Sequence, residues 1–303
     1  MKLFAPKYYK QFKCVADKCT HSCCIGWEID IDEITLKKYE SLSEGYGKEI
    51  INTVENGETA HFKLCEDERC PHLDCKGLCR IISEVGENYL CDICREHPRF
   101  YNDTARGKFV GLGMACEEAA RIILTHPDKT SLINLGDATA VTVNSEEKAI
   151  LRLRSELFDI LQDRKISIND RFKKIEKRCS FQLPAPFQVQ SILRKTERMD
   201  PTFNDLLIDL NGDFWPIFDK KWQTPLEQLA VYFLFRHLPD AMEDGYLRER
   251  IAFSLLSAFS IGAIAQKNSL TTDTLIDTAR QYSAEIEYSD QNTQEILSSL
   301  NLG

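Results

Sequence analysis

Apolar positions repeat with helical spacing through most of the chain after residue 130. SEEKAILRLRSELFDILQDRK, from Ser145, opens like a capping box and places an apolar residue on one face at every turn. INDRFKKIEKRCS and PFQVQSILRKTERM follow with similar periods. TPLEQLAVYFLFRHL predicts a helix with Thr224 as its cap and Pro225 at its first position. GYLRERIAFSLLSAFSIGAIAQ and TTDTLIDTARQYSAEIE complete a set of five to seven packed helices. The apolar run Ile251–Ala265 is too short and too interrupted by Ser and Gly to span a bilayer, so it predicts a buried core helix. Tyr232, Phe233 and Phe235 fall on an apolar helix and are expected in its core.

Before residue 130 the pattern is different. Turn residues are frequent and long periodic segments are few. WEIDIDEITLKKYESL predicts a short extended piece leading into a helix near Asp32, and CEEAARIILTH a helix with Cys116 at its first turn. The expected organisation is mainly α: a cysteine-rich metal- or cluster-binding region over 1–130, then an all-α helical domain over 131–303 that offers a substrate-binding surface. Gly111-Leu-Gly113 lacks the third glycine and the βαβ context of a dinucleotide fingerprint, so no such site is expected there.

Composition adds two constraints. The formal net charge is −9, and no basic run or basic–aromatic interleaving occurs. Nucleic acid is therefore not an expected partner, and neither is a membrane. The N-terminal MKLFAPKYYKQFK carries no apolar run of leader length, so a reducing cytoplasmic location is expected.

Cysteine is where the chemistry concentrates. Eleven of the twelve lie between Cys14 and Cys116: Cys14, Cys19, Cys23 and Cys24, then Cys65, Cys70, Cys75 and Cys79, then Cys91 and Cys94, then Cys116. Disulfides suit short secreted chains that lack a core, which this chain of 303 residues is not. Adjacent Cys23 and Cys24 cannot easily bond to each other. The spacings Cys91-x2-Cys94 and Cys75-x3-Cys79 match turns that aim two sulfurs at one metal. Four thiolates suit zinc or a 4Fe-4S cluster. Only His21, His61, His72 and His97 are interspersed with the cysteine groups, which tilts the expectation toward an all-sulfur iron–sulfur site with zinc as the alternative. Cys179, alone among charged residues, is expected as a half-buried or surface thiol.

Three stretches carry a resemblance: PKYYKQFKCVADKCTHSCCIGWEIDIDEITLKKYE, CPHLDCKGLCRIISEVGENYLCDICREHPR and GLGMACEEAARIIL. Together they resemble the flagellin lysine-N-methylase family, the FliB-type proteins. The second stretch is also similar to a broader group of small cysteine-cluster proteins described as metal chelators. The resemblance implies a methyltransferase that moves methyl groups from S-adenosylmethionine to lysine ε-amines of flagellin or another lysine-bearing protein. It also implies a bound iron–sulfur cluster. The cysteines matching the family pattern are Cys14, Cys19, Cys23, Cys24, Cys70, Cys79, Cys91, Cys94 and Cys116; Cys65, Cys75 and Cys179 fall outside it. A different class of function stays open beside this one, a non-enzymatic zinc- or iron–sulfur-binding protein whose helical domain docks a partner.

Lysine methylation needs only an in-line displacement on a desolvated, neutral amine. The chain accordingly lacks the Cx3Cx2C triad of radical S-adenosylmethionine enzymes. Arg95, Arg99 and Tyr89, set among the expected ligands, are the candidates to contact the cofactor, and His97 lies with them. Glu87 and Asp92 are possible proton acceptors, but no residue is assigned as the catalytic base.

Overall fold

In a computed structural model, the structure describes residues 2–104, 107–137, 145–208, 210–300 and 302. The chain divides into two compact units: Lys13–Arg99, and a larger one formed by Met1–Phe12 with Phe100–Gly303. The fold is mainly α, with fourteen α-helices and two small sheets among the described residues. No helix among them is long and apolar enough to cross a membrane.

This division corrects the expected boundary near residue 130, and the reason is a sheet. Strand Lys2–Pro6 runs parallel to Gly107–Leu112 on one side and antiparallel to Leu132–Asp137 on the other. Arg99–Thr104 adds the fourth strand beyond Gly107–Leu112. The first residues of the chain and those after 100 thus fold together, and the cysteine-rich segment is inserted between them. Strand Leu132–Asp137 also corrects the expectation that 131–303 is all α. One parallel pair in a four-stranded sheet is not the doubly wound arrangement of a nucleotide-binding fold. Gly111, part of the discounted glycine fragment, is small for packing: a Cβ there would lie 2.2 Å from the Phe100 ring.

In the larger unit, nine α-helices follow the sheet among the described residues, more than the five to seven expected. The additional ones include single turns such as Phe203–Leu207 and Ala241–Asp244, too short to show a period. The long helices fall where the pattern put them. Leu247–Lys267 is buried from Glu249 to Ala265, as expected of a helix that is apolar all round. The helix beginning at Gln223 places Thr224 and Pro225 inside its first turn, one residue earlier than the expected cap. The helix from Ser145 to Leu161 starts where expected, but the Ser145 side chain and its capping box lie outside the described residues. Buried among these helices, Glu227 pairs with Arg171 at 2.7 Å and Arg164 at 2.9 Å.

The unit Lys13–Arg99 holds helices Glu33–Ser41, Tyr46–Asn52, Arg80–Glu84 and Asp92–Glu96 and a hairpin pairing Val54–Asn56 with Ala60–Phe62. Asp32 caps the first helix, its carboxylate accepting from the Thr35 amide at 2.9 Å.

Candidate functional site

Backbone pairing brings the cysteine groups of the smaller unit together. The Cys70 amide donates to the Cys24 carbonyl at 2.8 Å, beside an antiparallel bridge between Ile25 and Arg69. CPHLDCKGLC folds back on itself. The Asp74 carboxylate accepts from the Lys76 and Leu78 amides, each at 2.8 Å, and Gly77 takes the left-handed conformation (φ +77°) that closes the turn. The Arg80 amide then reaches the His72 carbonyl at 2.8 Å, and Leu73 bridges to Cys79. Cys91 precedes the helix Asp92–Glu96, which sets Cys94 one turn on. Asp32 anchors that helix as well, accepting from the Asp92 amide at 2.9 Å. Burial works against the Asp32 charge, but the Asp92 and Thr35 amides outweigh it and hold the carboxyl below its usual range.

Cys24, Cys70, Cys79, Cys91 and Cys94 end up close enough that ionising one disfavours ionising another. Backbone amides point at three of the sulfurs: His72 at Cys70, Ile81 and Ile82 at Cys79, and Cys94 at Cys91. Hydrogen bonds of this kind favour thiolate and are common around metal-bound sulfur. A hydrogen bond from Cys23, helped by Ser22 and Arg69, brings the Cys24 thiol down to about 7 against its burial. A hydrogen bond from Cys94 lowers Cys91, and the same bond together with burial raises Cys94. Burial pushes Cys70 up to about 12 and raises Cys79. Five thiols in one low-dielectric neighbourhood cannot all ionise without a cation to balance them. These five could hold a metal or cluster. Among the described residues no three His, Cys, Asp or Glu side chains converge at coordination distance. Two thiol pairs, Cys23–Cys24 and Cys91–Cys94, are hydrogen-bonded to each other instead. All twelve cysteines are thiols, none in a disulfide.

The histidines leave the donor set dominated by sulfur. His72 is 2% exposed and both of its ring nitrogens are engaged. Thr53 donates its hydroxyl to the Ile50 carbonyl at 2.7 Å, so its oxygen accepts from His72 Nε2 at 2.9 Å. Nδ1 is then bare and accepts from the Tyr46 hydroxyl at 2.7 Å. Burial, with Arg80 nearby, lowers the His72 pKa to about 4 and keeps the ring neutral. His61 faces Glu28 and Glu55 at 3.6 and 3.9 Å. His97 stacks on Trp27, whose indole donates to the Cys23 carbonyl at 2.6 Å. Its buried Nε2 meets no partner among the described residues, and burial beside Arg99 lowers its pKa to about 4.

The other expected site residues are placed as follows. Cys14 is exposed, Cys19 half-buried after the turn Ala16–Lys18, and Cys23 exposed. Cys65 and Cys75 are exposed. Cys116 belongs to the larger unit, where it precedes the helix Glu117–Leu124 and packs half-buried against that unit's core. Tyr89 packs on the smaller core, and its carbonyl accepts from the Tyr39 hydroxyl at 2.6 Å. Arg95 donates to the Leu90 carbonyl at 3.2 Å and pairs with Asp92, and Arg99 donates to the Arg95 carbonyl at 3.3 Å. Tyr89, Arg95 and Arg99 thus flank the turn that carries Cys91 and Cys94.

The larger unit contains a polar cluster that sequence reasoning missed. Tyr232, Arg236 and His237 converge on Glu287, whose side chain is fully buried, at 3.1, 3.4 and 2.6 Å. Glu287 ends a π-helical turn, Ser283–Glu287, a geometry frequent at functional sites. Burial opposes its charge, but Arg236 and His237 prevail and hold the carboxyl low. Burial raises the adjacent Tyr288, with Arg236 and Cys116 close by. The available signal was an arginine and a histidine closing an otherwise apolar helix; a π-turn has no sequence signature.

The family model described as FliB lysine N-methylase C-terminal domain matches residues 188–302, within the helical part and not the cysteine-rich stretches. The flagellar biosynthetic protein FliU of Salmonella muenchen is 30% identical over 134 residues, 42% of this chain and 79% of that protein. Proteins named lysine-N-methylase from Salmonella typhimurium and Salmonella choleraesuis are each 29% identical over 134 residues, 42% of this chain. The match spans 33% of the length of each of these two. No solved structure matches the chain.

Proposed function

The chain belongs to the FliB-type lysine N-methylase family, and from that premise we propose that it is an S-adenosylmethionine-dependent protein-lysine N-methyltransferase acting on flagellin. The observation that carries this reading is kinship: it covers 79% of a flagellar biosynthetic relative and shares a segment with two proteins named lysine-N-methylase. The chemistry is one displacement. A neutral lysine nitrogen forms a bond to the methyl carbon, the carbon–sulfur bond breaks, and the sulfonium keeps the electron pair as a thioether. The proton leaves the amine before attack, so rate should rise with pH until the amine is deprotonated.

Within this reading, Cys24, Cys70, Cys79, Cys91 and Cys94 are the group from which a 4Fe-4S cluster, or zinc, would take its ligands. Cys14, Cys19, Cys23 and Cys116 are the further family-type candidates. The donor set fits, because it is rich in sulfur, crowded and supplied with backbone N–H groups. A bound metal would supply a cross-link among short segments. Arg95, Arg99 and Tyr89 are assigned to the cofactor: a guanidinium beside the Cys91–Cys94 turn suits a carboxylate. Replacing Arg95 or Arg99 should weaken cofactor binding if it meets that carboxylate, and change only metal retention if it serves the sulfurs.

The deciding experiment is mass spectrometry of flagellin lysines after co-expression with this chain, beside calorimetry with S-adenosylmethionine. Methylated lysines and measurable cofactor binding support the enzyme. Unmodified lysines and no binding, with metal loaded, favour the second reading, a metal-binding protein whose helical unit docks a partner. That reading draws on the 33% coverage of the named methylases.

A further inference from the structure

In the larger unit, the segment from Ile208 to Asp219 turns some of its large apolar side chains inward and others outward. Trp215 stacks on Phe259 with ring centres 5.1 Å apart, and Phe218 is buried beside the same ring. Phe214 and Ile217 face the other way, 88% and 83% exposed. They do not sit on a loose loop. The Trp215 indole donates to the Pro184 carbonyl at 3.0 Å, and the Asn169 amide group to the Pro216 carbonyl at 3.1 Å. The Phe187 backbone amide donates to the Gly212 carbonyl at 3.1 Å, which brings in exposed Phe187 at the start of helix Pro186–Leu193. One turn along that helix, Gln190 donates to the Leu207 carbonyl, beside exposed Ile208. Four large apolar side chains are thus held out to solvent on one anchored stretch. Leaving them there forgoes the burial that drives folding, and apolar surface exposed in this way marks an interaction site.

Charge selects the occupant. From Met199 to Asp219 the chain carries five aspartates, Asp200, Asp205, Asp209, Asp213 and Asp219, and no Lys or Arg. Asp213 adjoins Phe214, Asp219 follows Ile217 by two residues, and Asp205 precedes Ile208 by about one helical turn. These three are exposed and form no ion pair among the described residues. Helix Pro186–Leu193 adds no charged residue, and the first turn of helix Ile168–Cys179, which reaches Pro216 through Asn169, adds Asp170. At one end of the segment Arg198 is engaged with Glu285 at 3.2 Å; at the other, Lys220 and Lys221 follow. An apolar surface set among carboxylates repels a second copy of itself and an anionic bilayer. It attracts a segment that is apolar and cationic together, whose apolar groups supply affinity and whose cations guide approach and register.

We propose that this face docks a segment of a partner protein in which large apolar side chains are interspersed with lysine or arginine. The apolar groups would seat on Phe187, Ile208, Phe214 and Ile217, and the cations would meet Asp205, Asp213 and Asp219. The inference does not rest on the methyl-transfer reading, and it is tested without flagellin. The probe is a fluorescein-labelled amphipathic peptide of leucine and lysine, titrated with the full chain and followed by polarisation. A leucine–glutamate peptide and a serine–lysine peptide of the same length serve as controls. The leucine–lysine peptide should bind the native chain, the serine–lysine peptide far more weakly, and the leucine–glutamate peptide not at all. Phe214→Ser with Ile217→Ser should weaken binding about ten-fold or more, the scale of burying one large apolar side chain. Asp205→Asn, Asp213→Asn and Asp219→Asn together should weaken it at low salt and remove most of its salt dependence. All five side chains are exposed, so the melting temperature should hold in both variants. If the apolar variant fails to fold, Phe187→Ser gives the same readout from the neighbouring helix. Equal binding of the two leucine peptides, or of the two lysine peptides, would overturn the proposal, as would variants that bind like the native chain or no binding at millimolar concentration. A dimer in sedimentation that Phe214→Ser abolishes would give the face to a second copy, and binding to phosphatidylglycerol vesicles lost in the same variant would give it to a membrane; either result also overturns it.

Discussion

Among the described residues, fifty buried apolar side chains form the core of the larger unit, while that of Lys13–Arg99 has eight, two of them Cys70 and Cys91. Helices differ in the same sense. The larger unit has runs of 21, 17 and 15 residues; the smaller has helices of 9, 7, 5 and 5. Helices of five residues are not stable by themselves, and so small a core buries little apolar surface to hold them. One region is held by packing. In the other, the thiols occupy the positions a larger apolar core would fill, and a cross-link through them is what would make it self-sufficient.

The largest expected effect breaks the comparison at that point. Chelating the proposed metal from anaerobically prepared protein, or replacing Cys94 with serine, should unfold Lys13–Arg99 and leave the larger unit folded. Structural metal sites contribute about 10 kcal/mol in small domains, more than this core supplies. Hydrogen exchange read by mass spectrometry should lose protection over residues 13–99 alone. Protection unchanged in both regions after complete metal removal would mean that the small core suffices. Iron with acid-labile sulfide, against stoichiometric zinc, would distinguish cluster from ion in the same preparation. Replacing Cys179, half-buried on the larger core, should alter neither content nor protection.

The converse break is Glu227→Ala. Glu227 is fully buried between Arg164 and Arg171, and Arg171 is only 2% exposed. Removing the carboxylate leaves a buried guanidinium without its counter-charge, a loss of about 3–5 kcal/mol. Urea denaturation followed by far-UV circular dichroism should show it, with metal content unchanged. Metal loss in step with the helical transition would mean that the two regions do not unfold separately.

These regions also differed in how far they could be read from the sequence. Period and apolarity located Leu247–Lys267 and Gln223–His237 to within a residue or two of their starts. They gave no notice of strand Leu132–Asp137, nor of Lys2–Pro6 pairing more than a hundred positions away, because pairing partners are set by tertiary contact. The domain boundary failed for the same reason. In the smaller unit, Cys91-x2-Cys94 and Cys75-x3-Cys79 stood out by spacing; the structure gathers Cys79, Cys91 and Cys94 with Cys24 and Cys70, while Cys75 lies exposed. His72 could not be separated from a metal ligand in the sequence; only its two hydroxyl partners show that it serves the fold. Glu287 and its arginine were hidden because a π-turn, not a motif, aims the carboxylate inward.

A smaller effect sharpens the comparison inside the packed unit. Gly111→Ala would put a methyl group 2.2 Å from the Phe100 ring, and Phe100 is itself wedged against Tyr232 and Phe235. Overpacking of this kind costs about 1–3 kcal/mol. Pairing it with Phe100→Leu should recover part of the loss. A melting temperature unmoved by Gly111→Ala would show that the sheet gives way easily.

The smallest effect belongs to the thiol-rich unit and tests how it is held apart from the metal proposed for it. Because the Thr53 hydroxyl proton is committed to the Ile50 carbonyl, His72 must carry its proton on Nε2 and present a bare Nδ1 to Tyr46. Tyr46→Phe keeps the ring packing against His72 but removes the only hydroxyl that Nδ1 meets in that arrangement. A buried acceptor deprived of its donor costs about 1–2 kcal/mol. Protonating Nδ1 would not restore the bond, since burial already disfavours the imidazolium. The loss should therefore appear at neutral pH, only in the protection of residues 13–99, and with metal content intact. Nitrogen shifts of His72 should report an Nε2–H tautomer in the native chain and a deshielded, unbonded Nδ1 in the variant. A native spectrum with the proton on Nδ1 would reverse the donor assignments and return His72 to the pool of candidate ligands.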